Sequence, residues 1–96
     1  NLAGAQLVRA DLSGAKLKGA TLVSGNLSRA VLAGADLAEV DLAGAYLYMA
    51  RLENTDLSGA KGLTSEQVRA ACGDASTKLP TDVAAPASWP CPALER

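Results

Sequence analysis

The chain has no histidine, no phenylalanine and no isoleucine, and only one tryptophan, two tyrosines, one methionine and two cysteines in 96 residues. Without histidine there is no imidazole to act as a base near neutral pH or to ligate a metal. The two cysteines, Cys72 and Cys91, are 19 positions apart, which is not a zinc-binding spacing. No glycine-rich phosphate loop is present either; the glycines follow another rhythm. An excess of either charge is also missing. Nine Lys and Arg stand against ten Asp and Glu, for a net charge of −1. That balance supplies neither the basic footprint of a nucleic-acid or anionic-membrane binder nor a dense acidic surface imitating DNA. No uncharged apolar run nears the roughly 20 residues that span a bilayer, and the longest uncharged stretch, between Asp82 and Glu95, holds three prolines. There is no signal peptide and no initiator methionine; the sequence opens at Asn1 inside a pattern, which reads as a processed product or a fragment.

What is abundant is leucine at intervals of five. Leu occupies positions 2, 7, 12 and every fifth residue to 57, twelve in succession. Ala stands two residues before Leu in eight of eleven cases, and Gly two residues after it in six of twelve. A helix turns about 100° per residue, so a step of five rotates about 140° and distributes Leu around every side. A continuous strand alternates its faces, so an odd step sends successive Leu to opposite sides. A bend in each unit resolves the conflict. Three extended residues such as Ala10-Asp11-Leu12 send Ala and Leu inward and Asp11 outward. Ser13-Gly14 then makes the turn, where glycine accepts positive φ without steric cost. If each turn rotates the chain by about 90°, four units close a square. Short in-phase repeats of this kind mark a solenoid, whose layers bury a common core.

The A(D/N)LxG pattern, seen in "AGADL", "AGAYL" and "NTDLSGA", resembles the pentapeptide-repeat proteins over residues 1–60. The resemblance implies an all-β solenoid: a right-handed quadrilateral parallel β-helix of about three coils. Residues 20 apart then stack, giving inner columns Leu2/Leu22/Leu42, Leu7/Leu27/Leu47, Leu12/Leu32/Leu52 and Leu17/Leu37/Leu57. Outside, one face gathers Gln6/Asn26/Tyr46, Val8/Ser28/Tyr48 and Arg9/Arg29/Met49, the residue types enriched at interfaces. Asp11/Val31/Arg51 and Ser13/Ala33/Glu53 fall on the next face. Asp36 and Asp56 are expected to belong to a solvated column with Lys16, and neither they nor Asp11 with Arg51 are expected to have a cleft around them.

After Gly62 the phase breaks, and "GLTSEQVRAACG" predicts a capping helix over 65–72 within a segment spanning 62–73. Thr64 and Gln67 are spaced as a capping box, Leu63 and Val68 as a hydrophobic staple, and Gly73 as the left-handed residue beyond the helix. Val68, Ala71 and Cys72 are expected to cover the open end of the coil, whose unpaired strand groups otherwise invite aggregation. Similar GLT-x-EQ helices followed by T-x-LP, here Thr77-Lys78-Leu79-Pro80, end many bacterial members of the family. Residues 74–96 hold all four prolines and are expected to run extended as a strap, with Trp89 pinning it to the core. Cys72 and Cys91 are candidates for a disulfide closing a 20-residue loop; the alternative is two reduced thiols in a cytosolic chain. The first coil has no cap. More repeats, a preceding cap or a second copy would cover it, and exposed strand groups are expected along residues 1–20.

These features predict a non-catalytic structural or protein-interaction module without cofactor or metal. Its candidate interaction face is Arg9, Arg29, Tyr46, Tyr48 and Met49. The partner is a protein that the sequence does not identify, with self-association through the first coil as a second route; neither nucleic-acid binding nor membrane insertion is expected. The family also contains DNA mimics that bind type II topoisomerases. Three coils rising about 4.8 Å each reach only about 15 Å, less than half of the 34 Å turn of a duplex, and the net charge imitates no phosphate backbone. Localisation follows the cysteines: extracytoplasmic if they pair, cytoplasmic if they do not.

Overall fold

Most backbone N–H groups of a five-residue unit bond to the turns above and below it, and that pairing builds the molecule. In the computed structural model, which describes residues 2–83, 85, 86 and 89, the unit Asn26–Ala30 serves as an example. Asn26 donates its N–H down to the Ala5 carbonyl at 2.9 Å, while Leu27 and Arg29 donate up to Tyr46 and Tyr48 at 2.8 and 2.7 Å. Ala30 closes a turn on the Leu27 carbonyl at 3.0 Å. The remaining N–H, that of Ser28, is bound by the Asn26 side chain at 3.2 Å. No N–H of the unit is left unpaired, as buried backbone requires.

The same scheme repeats at Asp11, Asp36, Asp41 and Asp56, each of whose carboxylates accepts the N–H two residues on. This is why Asp or Asn recurs directly before the leucine: a short side chain with an acceptor oxygen closes the turn locally.

Pairing between turns is parallel and steps by 20 residues. Gln6, Asn26 and Tyr46 form one ladder, Asp11, Val31 and Arg51 the next, Lys16, Asp36 and Asp56 the third, and Thr21, Asp41 and Lys61 the fourth. Four ladders around one axis give the chain four sides. Each side carries a single bridge residue per turn because the chain bends again two residues later.

The inward leucines form the core. Leu22, Leu27, Leu32, Leu37, Leu42, Leu47, Leu52 and Leu57 are buried, with Ala30, Ala35, Val40, Ala45 and Ala50 between them. Thr55, which replaces the usual small inward residue, is fully buried and donates its hydroxyl to the Leu32 carbonyl at 2.7 Å. Leu2, Leu7, Leu12 and Leu17 of the first turn are only partly buried. The N–H groups of Asp11 and Lys16 have no backbone partner among the described residues, whereas their counterparts Val31 and Asp36 bond to Ala10 and Ala15.

Past Lys61 the chain departs from the five-residue rhythm and forms helix α1, Ser65–Ala70. The capping box is present in both directions, with Thr64 accepting from the Gln67 N–H and the Gln67 side chain accepting from the Thr64 N–H. Leu63 and Val68 are both buried in the core cluster. Gln67 does more than cap: its amide also donates to the carbonyls of Leu42 and Ala45, each at 2.9 Å, which fastens α1 to the turn beneath it.

Two expectations for this end are corrected. The helix stops at Ala70 rather than 72, because Ala71 is extended (φ −96°, ψ 176°) and its N–H bonds back to Val68. Gly73 is therefore not a left-handed residue closing the helix; it is absent from the positive-φ glycines. Its smallness is needed for another reason. A Cβ on Gly73 would lie 2.5 Å from the Trp89 ring, and that ring, packed on the core, donates its Nε1–H to the Ala71 carbonyl at 3.0 Å. Trp89 thus anchors the strap, and it does so across Gly73.

The segment from residue 74 is also less of a surface strap than expected. Cys72 pairs in parallel with Arg51 and Lys78 with Asp56, while Thr77 donates its hydroxyl to the Leu52 carbonyl at 2.6 Å. Offsets of 21 and 22 replace 20, so the chain lays a looser partial turn over residues 51–57 before it leaves.

Gly73→Ala tests the Trp89 anchor. The new methyl displaces the indole, so Trp89 fluorescence is expected to shift to longer wavelength with a loss of about 1–3 kcal/mol in stability. An unchanged emission maximum would contradict the packing.

Candidate interaction face

At the third and fourth positions of each unit the backbone is hydrogen-bonded but the side chains stand outside the core, so the outer columns can carry whatever the fold does not need. The fourth position of each unit is an exception in one respect: it always takes positive φ. Glycine fills it at 4, 14, 19, 34, 44 and 59, where φ runs from 68° to 75°. Sorted by side of the prism, three of the four turn columns contain at least one glycine. The column Arg9/Arg29/Met49 contains none, with φ of 62°, 61° and 55°. A residue with a Cβ costs about 1–2 kcal/mol in this conformation, so three long side chains stacked there run against the local preference at every level.

The structure brings Arg9, Arg29 and Met49 together around a cavity of about 320 Å³ that turns the corner onto the next side, where Val31, Ala33, Arg51 and Glu53 complete it. Arg51 pairs through Nη2 with the Glu53 carboxylate at 2.5 Å, and its side chain is only 11% exposed. Its other terminal nitrogen, Nη1, is buried with no hydrogen-bond partner, alone in this respect among the described side chains.

Tyr46 and Tyr48 lie beside that corner and line a separate, shallower concavity of about 460 Å³ shared with Ser28, Thr64, Glu66, Gln67 and Ala70. The Arg29 guanidinium joins the two, sitting 5.8 Å from the centre of the Tyr48 ring, within cation–π range. Tyr46, Tyr48 and Val8 are 62%, 56% and 47% exposed. They are the exposed large apolar side chains among the described residues, and all three belong to the same side.

The five residues singled out from the sequence thus divide between two adjoining hollows. Sorting by columns puts Arg51, Glu53 and Val31 on a neighbouring face and does not reveal their part in the corner. A usable signal was in the sequence: of the four columns of turn residues, only 9/29/49 lacks glycine throughout.

Elsewhere several acidic side chains serve the fold. Asp36 and Asp56, read as a solvated column, accept N–H groups of Ala38 and Ser58. Hydrogen bonds from the Ser13 side chain and backbone hold the Asp11 carboxyl below its ordinary value of 3.8. Ser58 does the same at Asp56, with smaller help from Lys78 and Lys18. Cys72 is disulfide-bonded; Cys91, the other half of the expected pair, lies outside the described residues. Among the described residues no cluster of three or more His, Cys, Asp or Glu is placed to hold a metal, and no helix is long and apolar enough to cross a membrane.

A four-sided chain of parallel ladders, repeating every 20 residues around a leucine core, defines a repeat solenoid. The particular kind follows from its sequence: the profile of the pentapeptide repeats matches residues 1–29 and 26–61, in eight copies, and the chain belongs to that family, whose members fold as right-handed quadrilateral β-helices. Among solved structures it is similar to a pentapeptide repeat protein of the cyanobacterium Cyanothece 51142, with 31% identity over 77% of this chain and a TM-score of 0.41. A pentapeptide repeat protein of Nostoc Pcc 7120 shares 28% identity over 82% of this chain and 77% of its own, with a TM-score of 0.33. One from the thylakoid lumen of Arabidopsis thaliana shares 27% over 90% of this chain and 65% of its own, with a TM-score of 0.28. The chain spans 56% of the length of the Cyanothece protein. No curated protein sequence matches it.

The two depressed carboxyls give a pH prediction. A folded-state value below the unfolded 3.8 means that their contribution is complete above that value and lost as pH falls through the folded one. Melting temperature is expected to hold between about pH 7 and 5 and to fall below about pH 4. Asn keeps the acceptor that closes the turn, as Asn26 shows, so Asp11→Asn with Asp56→Asn should flatten the acid limb. An acid limb unchanged in that double variant would contradict the assignment.

Proposed function

We propose that this chain is a non-catalytic interaction module, a three-coil β-helix closed at its C-terminal end by α1 and the segment to Lys78, which presents the Arg9, Arg29, Tyr46, Tyr48 and Met49 side to a protein partner. The observation that carries this reading is the grouping of exposed apolar bulk. In a chain with two tyrosines and no phenylalanine, both tyrosines and Val8 stand exposed on one side, with Arg29 over the Tyr48 ring. Aromatic residues and arginine beside shallow hollows are the composition of binding hot spots. Family membership supports the absence of catalysis, since pentapeptide repeat proteins are generally structural modules.

The DNA-mimic alternative has no comparable support. The described turns rise about 15 Å at about 4.8 Å each, and the charge concentrated at the corner is positive. The disulfide at Cys72 favours an oxidising, extracytoplasmic compartment.

Partner capture with Tyr48→Ala plus Arg29→Ala tests the reading. The double variant is expected to lose the partner while its stability stays within about 0.5 kcal/mol of the parent, as for surface substitutions generally. Retained capture would overturn the assignment of this face.

A further inference from the structure

Four independent features meet at the corner between the first two sides. The turn column there is the one without glycine, so Arg9, Arg29 and Met49 are all held at positive φ. Three arginines, Arg9, Arg29 and Arg51, line the hollow with one acidic residue, Glu53, although the whole chain carries a net charge of −1. Glu53 engages only Nη2 of Arg51, and Nη1 is buried without an acceptor. Finally, the hollow has an apolar lining from Val31, Ala33 and Met49.

Folding explains none of these. Glycine would serve the turns better, like charges close together repel, and a buried donor without a partner is destabilising. Together they describe a receptor for a negative group carried on an apolar body. We propose that this corner binds a carboxylate side chain of an acidic, aliphatic segment of a partner protein. The inference rests on the reading of this side as an interaction face and gives the partner its chemistry.

The choice of carboxylate over phosphate follows from the lining. Guanidinium forks match both anions. A free phosphate is polar on every side and leaves Val31 and Met49 uncovered, whereas the methylenes of Glu and a neighbouring Leu cover them. The cavity, about 320 Å³, is at the small end for a self-contained ligand site. It adjoins the tyrosine hollow through the Arg29–Tyr48 contact, so an extended peptide can place an acidic side chain in one and an apolar one in the other. On binding, the carboxylate accepts from Arg9 and Arg29, and a small rotation of the Arg51 side chain gives Nη1 an acceptor.

The test is a titration of the isotopically labelled full chain, followed by amide chemical shifts. Three probes are compared: an acetylated and amidated hexapeptide alternating Leu and Glu, its Leu–Gln counterpart, and inorganic phosphate. The Leu–Glu peptide is expected to give saturable shifts at Arg29, Met49 and Arg51, and to bind about tenfold or more tightly than the Leu–Gln peptide, as loss of charge-assisted hydrogen bonds implies. Arg29→Gln and Arg9→Gln, both at exposed positions, should each weaken it while the rest of the spectrum is unchanged. Arg51→Gln is a second variant with the same expected loss. Equal binding of the two peptides, no shifts at the corner, or phosphate saturating the same amides at equal concentration would each overturn the proposal; the last identifies a small-anion site instead. If the peptide fails while capture still depends on Tyr48, the carboxylate inference falls alone. If the peptide binds but no capture depends on Tyr48, the broader face reading falls and this site stands.

Discussion

The structure depends on parallel pairing between residues 20 apart. A five-residue unit has too little apolar area to fold by itself, and its three extended residues are too short for an ordinary strand. Stacking resolves both problems at once. Each turn donates N–H groups up to the next and down to the one before, and the same translation places leucine directly over leucine. Hydrogen bonding and burial are therefore one event here, since neither is available without the neighbouring turn. The same logic explains why the first-turn leucines are only partly buried while those of the later turns are sealed.

Because the pairing uses backbone and the core uses two inward positions, the outer columns carry little structural duty. Asp and Asn are retained at the first position of several units, where they close turns, and glycine at many fourth positions, where φ is positive. Departures from those rules are then informative. The Arg9/Arg29/Met49 column departs at every level, and it borders the tyrosines and Arg51, whose Nη1 is buried without a partner. Strain of this kind persists only where the surrounding structure fixes it, and it gathers at functional positions. A solenoid is well suited to such use because a face can be rewritten without disturbing the core.

Much of this was legible in the sequence because the period of five excludes a straight helix or strand on geometry alone. The leucine columns, the turn positions and the capping box around Thr64 and Gln67 all follow from spacing. The rest depended on contacts between segments far apart in the chain. Gly73 has the look of a helix terminator, and only the position of Trp89 reveals that its missing Cβ makes room for an indole. The pairing of Cys72 and Lys78 with the last turn has no periodic signature, since its offsets of 21 and 22 differ from each other. Columns sort residues by side and leave Arg51 on its own face, while the hollow it lines wraps a corner. Spacing makes the capping helix two residues too long for a similar reason: Ala71 leaves the helix so that the chain can pair with residues 50 and 52.

The most direct measurement of the central claim is a set of through-space proton contacts between amides on the labelled chain. Contacts linking Gln6 to Asn26, Asn26 to Tyr46, Asp36 to Asp56 and Asp41 to Lys61 are expected, together with slow exchange of the Leu27, Leu32 and Leu37 amides. Contacts pairing Gln6, Asn26, Asp36 or Asp41 with a residue of another turn at an interval other than 20, or rapid exchange of those leucine amides with the helix α1 amides protected, would contradict the 20-residue stacking on which the account is built.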